Sequence, residues 1–336
     1  MQTSYTINDF KSDQYVRWCP GCGNHAVLNS IQKAMSEIGI SPDNTAVISG
    51  IGCSSRLPYY VNTYGFHTIH GRASAIATGV KVANPKLAVW QITGDGDCLA
   101  IGGNHFIHTV RRNVDINIVL MNNGIYGLTK GQYAPTSKRG FVSKSSPYGT
   151  VEDPFNAADL CFGAGGQFFA RIMDVDLKNS QEVMKQAAQH QGCSVVEALV
   201  NCIIFNDGTH KDISAKDVRD DHTIFLRHGE RMIFGKDRDK GLIVDGFKLK
   251  VVKLGENGIS EKDILIHDAK CQDKTLHFKL GHMKGPEFPM ALGIIRDAEA
   301  PVYDQDVYAQ LNEVKPKHNY KSLNEFFMSL ETWEIK

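Results

Sequence analysis

The 336-residue chain carries no net charge, with 37 lysines and arginines set against 37 aspartates and glutamates. A surface so balanced supplies no long-range field for nucleic acid or an anionic membrane, and neither is expected as a partner. No apolar run approaches the roughly 20 residues that cross a bilayer. The opening residues, MQTSYTINDFKSDQY, are polar and acidic and lack the basic-then-apolar order of a secretory leader. The eight cysteines are therefore expected as reduced thiols in a cytoplasmic protein rather than as disulfides. There is no internal repeat, no low-complexity tract and no C-x-x-C-x-x-C-x-x-x-C-P run of the ferredoxin kind.

From residue 24 to about 204 the chain alternates helix and strand patterns. NHAVLNSIQKAMSEIG places Val27, Leu28, Ile31, Met35 and Ile38 on one helical stripe that stops at Gly39. TAVISGIG is a short buried strand ending in glycines, RASAIATGVKVANP a small-residue helix closed by Pro85, and KLAVWQITGDGD a strand running into a Gly-Asp turn. GGNHFIHTVRRN then reads as a helix and DINIVLMNNG as a strand; FFARIM, NSQEVMKQAAQHQ and SVVEALVNC extend the series. Nearly continuous apolar strands separated by helices predict an α/β fold, a mostly parallel sheet with helices on both faces. Beyond Phe205 the sequence turns charged and glycine-punctuated, with hairpin-like segments and a terminal helix near YKSLNEFFMSLE. Residues 1–205 are thus expected as the functional α/β domain, and residues 206–336 as an extension that docks on this core and on a partner subunit.

Gly94-Asp95-Gly96 stands where a buried strand ends, the edge at which open α/β sheets bind ligands. Glycines there admit a phosphate to the backbone, and Asp95 offers a hard oxygen to a divalent cation. Twenty-five residues, enough for one helix and one strand, separate Gly96 from Asn122-Asn123 at the end of the next strand. Both polar ends should arrive side by side. The pair resembles the thiamine diphosphate motif. That resemblance implies Mg²⁺ held by Asp95, the side chain of Asn123 and the main-chain carbonyl of Ile125, with diphosphate oxygens and water completing the octahedron.

Cys19-Pro-Gly-Cys22 alone is compatible with a zinc half-site, a redox pair or a turn. Nothing strand-like precedes it, as a redox pair would want, and no second closely spaced pair completes a zinc site. Single cysteines at strand ends remain as partners: Cys53 in GIGCSSR and Cys202 in LVNCIIFND. One close pair plus two distant thiolates suits a [4Fe–4S] cluster, whose four irons sit at cube corners. Cys161 and Cys193 lie in apolar runs and read as small buried hydrophobes.

WCPGCGNHAVL, GIGCSSR, HGRASAIATGVK, GDGDCLAIGGNHFIHTVRRN and MNNGIYGLTKGQYAPTS together resemble the beta subunit of two-subunit 2-oxoacid:ferredoxin oxidoreductases, over roughly residues 15–235. The resemblance implies coenzyme A-dependent oxidative decarboxylation of a 2-oxoacid, with electrons passed singly from thiamine diphosphate through the cluster to ferredoxin. It implies that Cys19, Cys22, Cys53 and Cys202 bind the cluster, and that His70, Ile51, Gly52, Cys53, Ser54, Gly96, Asp97, Gly127 and Leu128 line the cofactor. His67, His105 and His108 are read as structural. Arg56 and Lys130 are the candidate cations for substrate carboxylates, Arg56 as a bidentate donor and Lys130 as a flexible point charge. Pyruvate-preferring family members tend to have glycine where Lys130 stands, which favours 2-oxoglutarate here, converted to succinyl-CoA and CO₂. The carboxylate that activates the cofactor belongs, in this family, to the alpha subunit, so the chain is expected to be inactive alone. The competing readings are pyruvate or broad 2-oxoacid use, a non-redox thiamine decarboxylase or lyase, and an assembly protein with structural zinc on Cys19 and Cys22.

Overall fold

A computed structural model describes residues 4–317, 320–333 and 335. Its strands are β1 (Thr45–Ser49), β2 (Tyr64–His67), β3 (Ala88–Gly94), β4 (Asn117–Asn122), β5 (Ile125–Tyr126), β6 (Gln132–Tyr133), β7 (Phe168–Met173), β8 (Ser194–Leu199), β9 (Thr223–Leu226), β10 (Ile233–Phe234), β11 (Lys240–Asp245), β12 (Lys248–Lys253) and β13 (Met290–Asp297). Eight of them form one sheet in the order β2-β1-β3-β4-β8-β7-β13-β9. From β2 to β7 every neighbouring pair is parallel. β13 then runs antiparallel to β7, and β9 parallel to β13.

The continuous apolar runs have their expected cause, since both faces of the sheet are covered. In β4, Ile118 and Leu120 join one core with Phe106 and Phe162, while Val119 and Met121 join the other with Ile31 and Met35. Helices α1 (Asn24–Ile38), α2 (Ala73–Ala83), α3 (Gly103–Arg112), α4 (Ala157–Gly163) and α5 (Leu177–Gln189) supply these layers. α1 buries Val27, Leu28, Ile31 and Met35 and stops at Gly39, whose φ of 76° is the left-handed cap that glycine adopts without strain. Leu57, buried in the turn Ser54–Tyr60, and Phe10 complete the core beneath the edge strands.

The stretch after Phe205 does more than dock. It inserts β13 and β9 into the main sheet and folds β10, β11 and β12 into a separate antiparallel sheet, the hairpins expected from its glycine punctuation. Segments from both sides of residue 205 thus share one sheet. Arg296 shows why composition obscured this: though only 2% exposed, it donates to the carbonyls of Cys271 (2.7 Å) and Gly166 (3.2 Å), to Gln167 Oε1 (2.9 Å) and to His277 Nδ1 (3.0 Å). A charge so fully bonded is core, not surface. The terminal helix lies at Leu323–Met328.

Candidate functional site

Four adjacent parallel strands, β1, β3, β4 and β8, deliver their carboxyl ends to one edge of the sheet. The register sets Ser49 beside Ile92, Gly94 beside Met121 and Asn122 beside Leu199. The residues that follow each strand therefore meet: Cys53 after β1, Asp95 after β3, Asn123 after β4 and Cys202 after β8. A cavity of about 170 Å³ opens at this edge. Its wall includes Ile51, Gly52, Cys53 and Ser54 from the first loop, His70 from the second, and Asp95, Gly96 and Asp97 from the third. Asn123, Ile125, Gly127 and Leu128 close it from the fourth.

Asp95 is buried, and burial pushes its carboxyl up to about 6, against hydrogen bonds from Thr136 and from backbone amides. A desolvated carboxylate without a cationic partner is the donor a hard divalent cation suits. Asn123 accepts from the Ile125 amide through its side-chain oxygen (3.1 Å), which turns the chain so that Asn123 and Ile125 line the same cavity. Asn206 donates to the Asn123 carbonyl (2.9 Å) and fixes this turn from the Cys202 loop. The tyrosine that follows Ile125, Tyr126, donates its hydroxyl to the Gly96 carbonyl (3.0 Å), and its ring stands where a Cβ on Gly96 would be, 2.3 Å away. Gly96 is thus required by packing.

Asp97 lines the cavity, but its carboxylate is engaged elsewhere. Oδ1 accepts from the amides of Ile51 (3.1 Å) and Gly71 (2.7 Å), and Oδ2 from the Thr93 hydroxyl (2.8 Å). It ties the loops carrying Ile51–Ser54 and His70 to β3. His67 is held by Ser49 Oγ and the Ser55 carbonyl.

The four proposed cluster thiols come together. Cys19 is exposed, while Cys22, Cys53 and Cys202 are half-buried. Burial first, then the neighbouring Cys53, Cys202 and Cys19 thiols, push Cys22 up to about 11; burial and the Cys202 and Cys19 thiols likewise raise Cys53. Thiols that oppose one another's ionisation are poised for a cationic group to hold them as thiolates. A Cβ placed on Gly127 would lie 3.5 Å from Cys202 Sγ and 3.6 Å from Cys53 Sγ, so Gly127 keeps clear the space beside both sulfurs. Among the described residues no three His, Cys, Asp or Glu side chains converge on a single metal-ion position. The donor set fits a group that presents a separate iron to each thiolate. Trp18 Nε1 donates to the Cys53 carbonyl (2.7 Å), and Gly23 N to the Asn201 carbonyl (3.1 Å), joining the Cys19–Cys22 turn to the Cys53 and Cys202 loops. Cys98, Cys161 and Cys193 are buried in the core and Cys271 is exposed, apart from this set.

Arg56 faces a neighbouring depression that shares Gly52 and Leu128 with the cavity, and its Nε donates to Tyr60 Oη (3.1 Å). Lys130 lines neither space. It is exposed at the tip of a turn closed by Lys130 N to Gly127 O (3.1 Å) and Gly131 N to Tyr126 O (2.9 Å). Its φ is 76°. The sequence reading gave no role to Thr136, Asn206 or Tyr126; the quoted motif contained Thr136 and Tyr126, but only the fold shows what their hydroxyls reach.

A family model described as thiamine pyrophosphate enzyme, C-terminal TPP binding domain, matches residues 50–198. The 2-oxoglutarate oxidoreductase subunit KorB of Mycobacterium tuberculosis is 48% identical over 304 residues, 90% of this chain and 81% of that protein. The 2-oxoglutarate synthase subunit KorB of Methanothermobacter thermautotrophicus is 48% identical over 185 residues, 55% of this chain and 65% of that protein. Among solved structures, a chain of the 2-oxoglutarate:ferredoxin oxidoreductase from Magnetococcus marinus, with 2-oxoglutarate, coenzyme A and succinyl-CoA bound, matches 97% of this chain and 96% of its own at 33% identity, with a TM-score of 0.77. With a matching thiamine pyrophosphate-binding domain, four neighbouring thiols and relatives of this extent, the chain belongs to the beta subunits of the 2-oxoacid:ferredoxin oxidoreductases, of the 2-oxoglutarate type.

Proposed function

We propose that Asp95, the Asn123 side chain and the Ile125 carbonyl hold Mg²⁺ against thiamine diphosphate, and that Cys19, Cys22, Cys53 and Cys202 hold a [4Fe–4S] cluster. With an alpha subunit, the chain then carries out coenzyme A-dependent oxidative decarboxylation of 2-oxoglutarate to succinyl-CoA and CO₂, ferredoxin taking the electrons. The observation that carries this reading is a shared wall. Cys53 and Gly127 both line the cofactor cavity, and Gly127 also abuts the sulfurs of Cys53 and Cys202. Thiamine diphosphate, when bound, would supply the electron sink for loss of CO₂, and a cluster held by the four cysteines would supply one-electron acceptance.

The chain's own residues then have definite tasks. Asp97 holds the two loops that shape the cavity, Tyr126 seats Gly96, and Arg56 offers a planar donor for the carboxylate next to the oxo carbon. Lys130 supplies charge for the distal carboxylate. A non-glycine residue in the left-handed region is disfavoured by about 1 kcal/mol, so a lysine at φ 76° occupies a position where glycine would be conformationally preferable. That supports a role for its ammonium. Among the described residues, the acids lining the cavity are Asp95 and Asp97, and the Asp97 carboxylate is engaged. The activating carboxylate is assigned to the alpha subunit.

The test is an assay of the alpha–beta complex purified without oxygen. Iron and sulfide in cubane proportion, with viologen reduction that needs coenzyme A and proceeds faster on 2-oxoglutarate than on pyruvate, are expected. Iron-free, colourless protein with bound zinc, or a decarboxylation that reduces no dye, would overturn the redox reading.

A further inference from the structure

Behind Asp95 lies a second, larger cavity of about 800 Å³, whose wall holds Thr136, Asn122, Glu197 and Arg171 but not Asp95. These four make a continuous polar chain. Arg171 Nε donates to Glu197 Oε2 (2.7 Å) in a buried pair, and Asn122 Nδ2 donates to Glu197 Oε1 (2.9 Å). The Asn122 amide is thereby fixed, with Oδ1 turned to Thr136 Oγ1 (2.9 Å) and to the Gly124 amide (3.2 Å). Thr136 Oγ1 also donates, at short range, to Asp95 Oδ2. The next residue anchors the segment: Ser137 Oγ donates to the Gly124 carbonyl (2.6 Å) and accepts from Ala134 N (2.8 Å).

Resting on the metal site proposed above, we infer that Thr136 is a positioning residue for the divalent cation: its hydroxyl holds Asp95 Oδ2 from the side away from the cofactor and so sets the carboxylate's orientation toward the cation. A ligating carboxylate free to rotate loses entropy each time it binds; one held at one oxygen does not. The buried ion pair upstream adds no net charge, since Arg171 and Glu197 cancel. Its effect is directional, because it decides which way the Asn122 amide faces. The Thr136 hydroxyl has one proton and two acceptors, Asp95 Oδ2 and Asn122 Oδ1. Without the proton from Thr136, two acceptor oxygens would face each other across a buried gap, and the Asp95 carboxylate would swing away.

Thr136→Val keeps the volume and removes the hydroxyl; Thr136→Ser keeps the hydroxyl. The alpha–beta complex would be titrated with Mn²⁺ at saturating thiamine diphosphate, followed by electron paramagnetic resonance of free Mn²⁺. Loss of an outer partner to a metal ligand commonly weakens metal affinity by about 10- to 100-fold. That range is expected for Thr136→Val, with Thr136→Ser within a few-fold of the parent. At saturating Mg²⁺ the Thr136→Val complex should regain most of its turnover, so the loss falls on the metal requirement and not on kcat. A cooperative melting transition and unchanged iron content separate this from misfolding, and Thr136→Ala serves as a second variant should valine fail to fold. Thr136→Val or Thr136→Ala binding Mn²⁺ within threefold of the parent overturns the inference alone. A parent complex that binds no Mn²⁺ with thiamine diphosphate overturns the metal site itself.

Discussion

Replacing Asp97 separates a positioning carboxylate from a ligand. The carboxylate is buried and accepts from two backbone amides on different loops, Ile51 N and Gly71 N, and from Thr93 Oγ1. In Asp97→Ala the Thr93 hydroxyl can turn to the Gly94 carbonyl, which already stands 3.3 Å away. The two amides have no such recourse. A buried donor left unsatisfied costs about 1–3 kcal/mol, so the variant should lose about 2–6 kcal/mol of stability. Asp97→Asn behaves differently: its amide oxygen can accept from both backbone N–H groups while its nitrogen faces Thr93, which reverses to become the acceptor. A loss of about 1 kcal/mol is expected there, from exchanging charged for neutral hydrogen bonds. Urea midpoints of the two variants measure this, with thiamine diphosphate retention measured in parallel, since the released loops carry Ile51–Ser54 and His70. Asp97→Ala within 1 kcal/mol of the parent would refute the reasoning. An Asn variant as damaged as Ala would show that the charge, not the two amides, matters.

Serine in place of Cys19, Cys22, Cys53 or Cys202 should deplete iron and sulfide, because a serine oxygen matches iron–sulfur ligation poorly; the same change at Cys98, Cys161, Cys193 or Cys271 should leave both unchanged. Normal iron and paramagnetic resonance in Cys202→Ser would move the fourth ligand elsewhere. Lys130→Ala should raise the KM for 2-oxoglutarate and barely affect pyruvate, whereas Arg56→Ala should impair both. For an exposed lysine such as Lys130 an ion pair is worth about 0.2–1 kcal/mol, up to roughly fivefold in kcat/KM, and equal losses on both acids in the Lys130 variant would remove its selectivity role. His267, buried with its Nε2 on the Ile294 carbonyl (2.8 Å), is held down to about 4 by burial. The unfolded chain takes up that proton near 6.5, so stability is full above that pH and falls by about 3 kcal/mol as pH drops toward 4. His267→Gln should flatten this slope in urea midpoints taken at pH 7.5 and 4.5; equal slopes in both proteins would contradict it.

The sequence by itself determined the central sheet, because a strand covered on both faces must be mostly apolar, and β1, β3, β4, β7 and β8 are written as nearly continuous apolar runs. It also determined which residues would meet at the edge, since a strand–helix–strand unit returns each strand end to the same side. Asp95, Asn123, Cys53 and Cys202 follow from that rule alone. Tertiary structure decided the rest. β13 pairs with β7 across more than a hundred residues, and its buried Arg296, like Arg171 and Glu197 in β7 and β8, reads as surface until the partners that satisfy it are in place. The exposed edge strand β2 has no buried position and so no pattern to read. Asp97 and Thr136 differ for the same reason: a carboxylate or hydroxyl in a motif tells its chemistry, but whether it faces a cofactor or a backbone amide depends on where distant loops bring their donors.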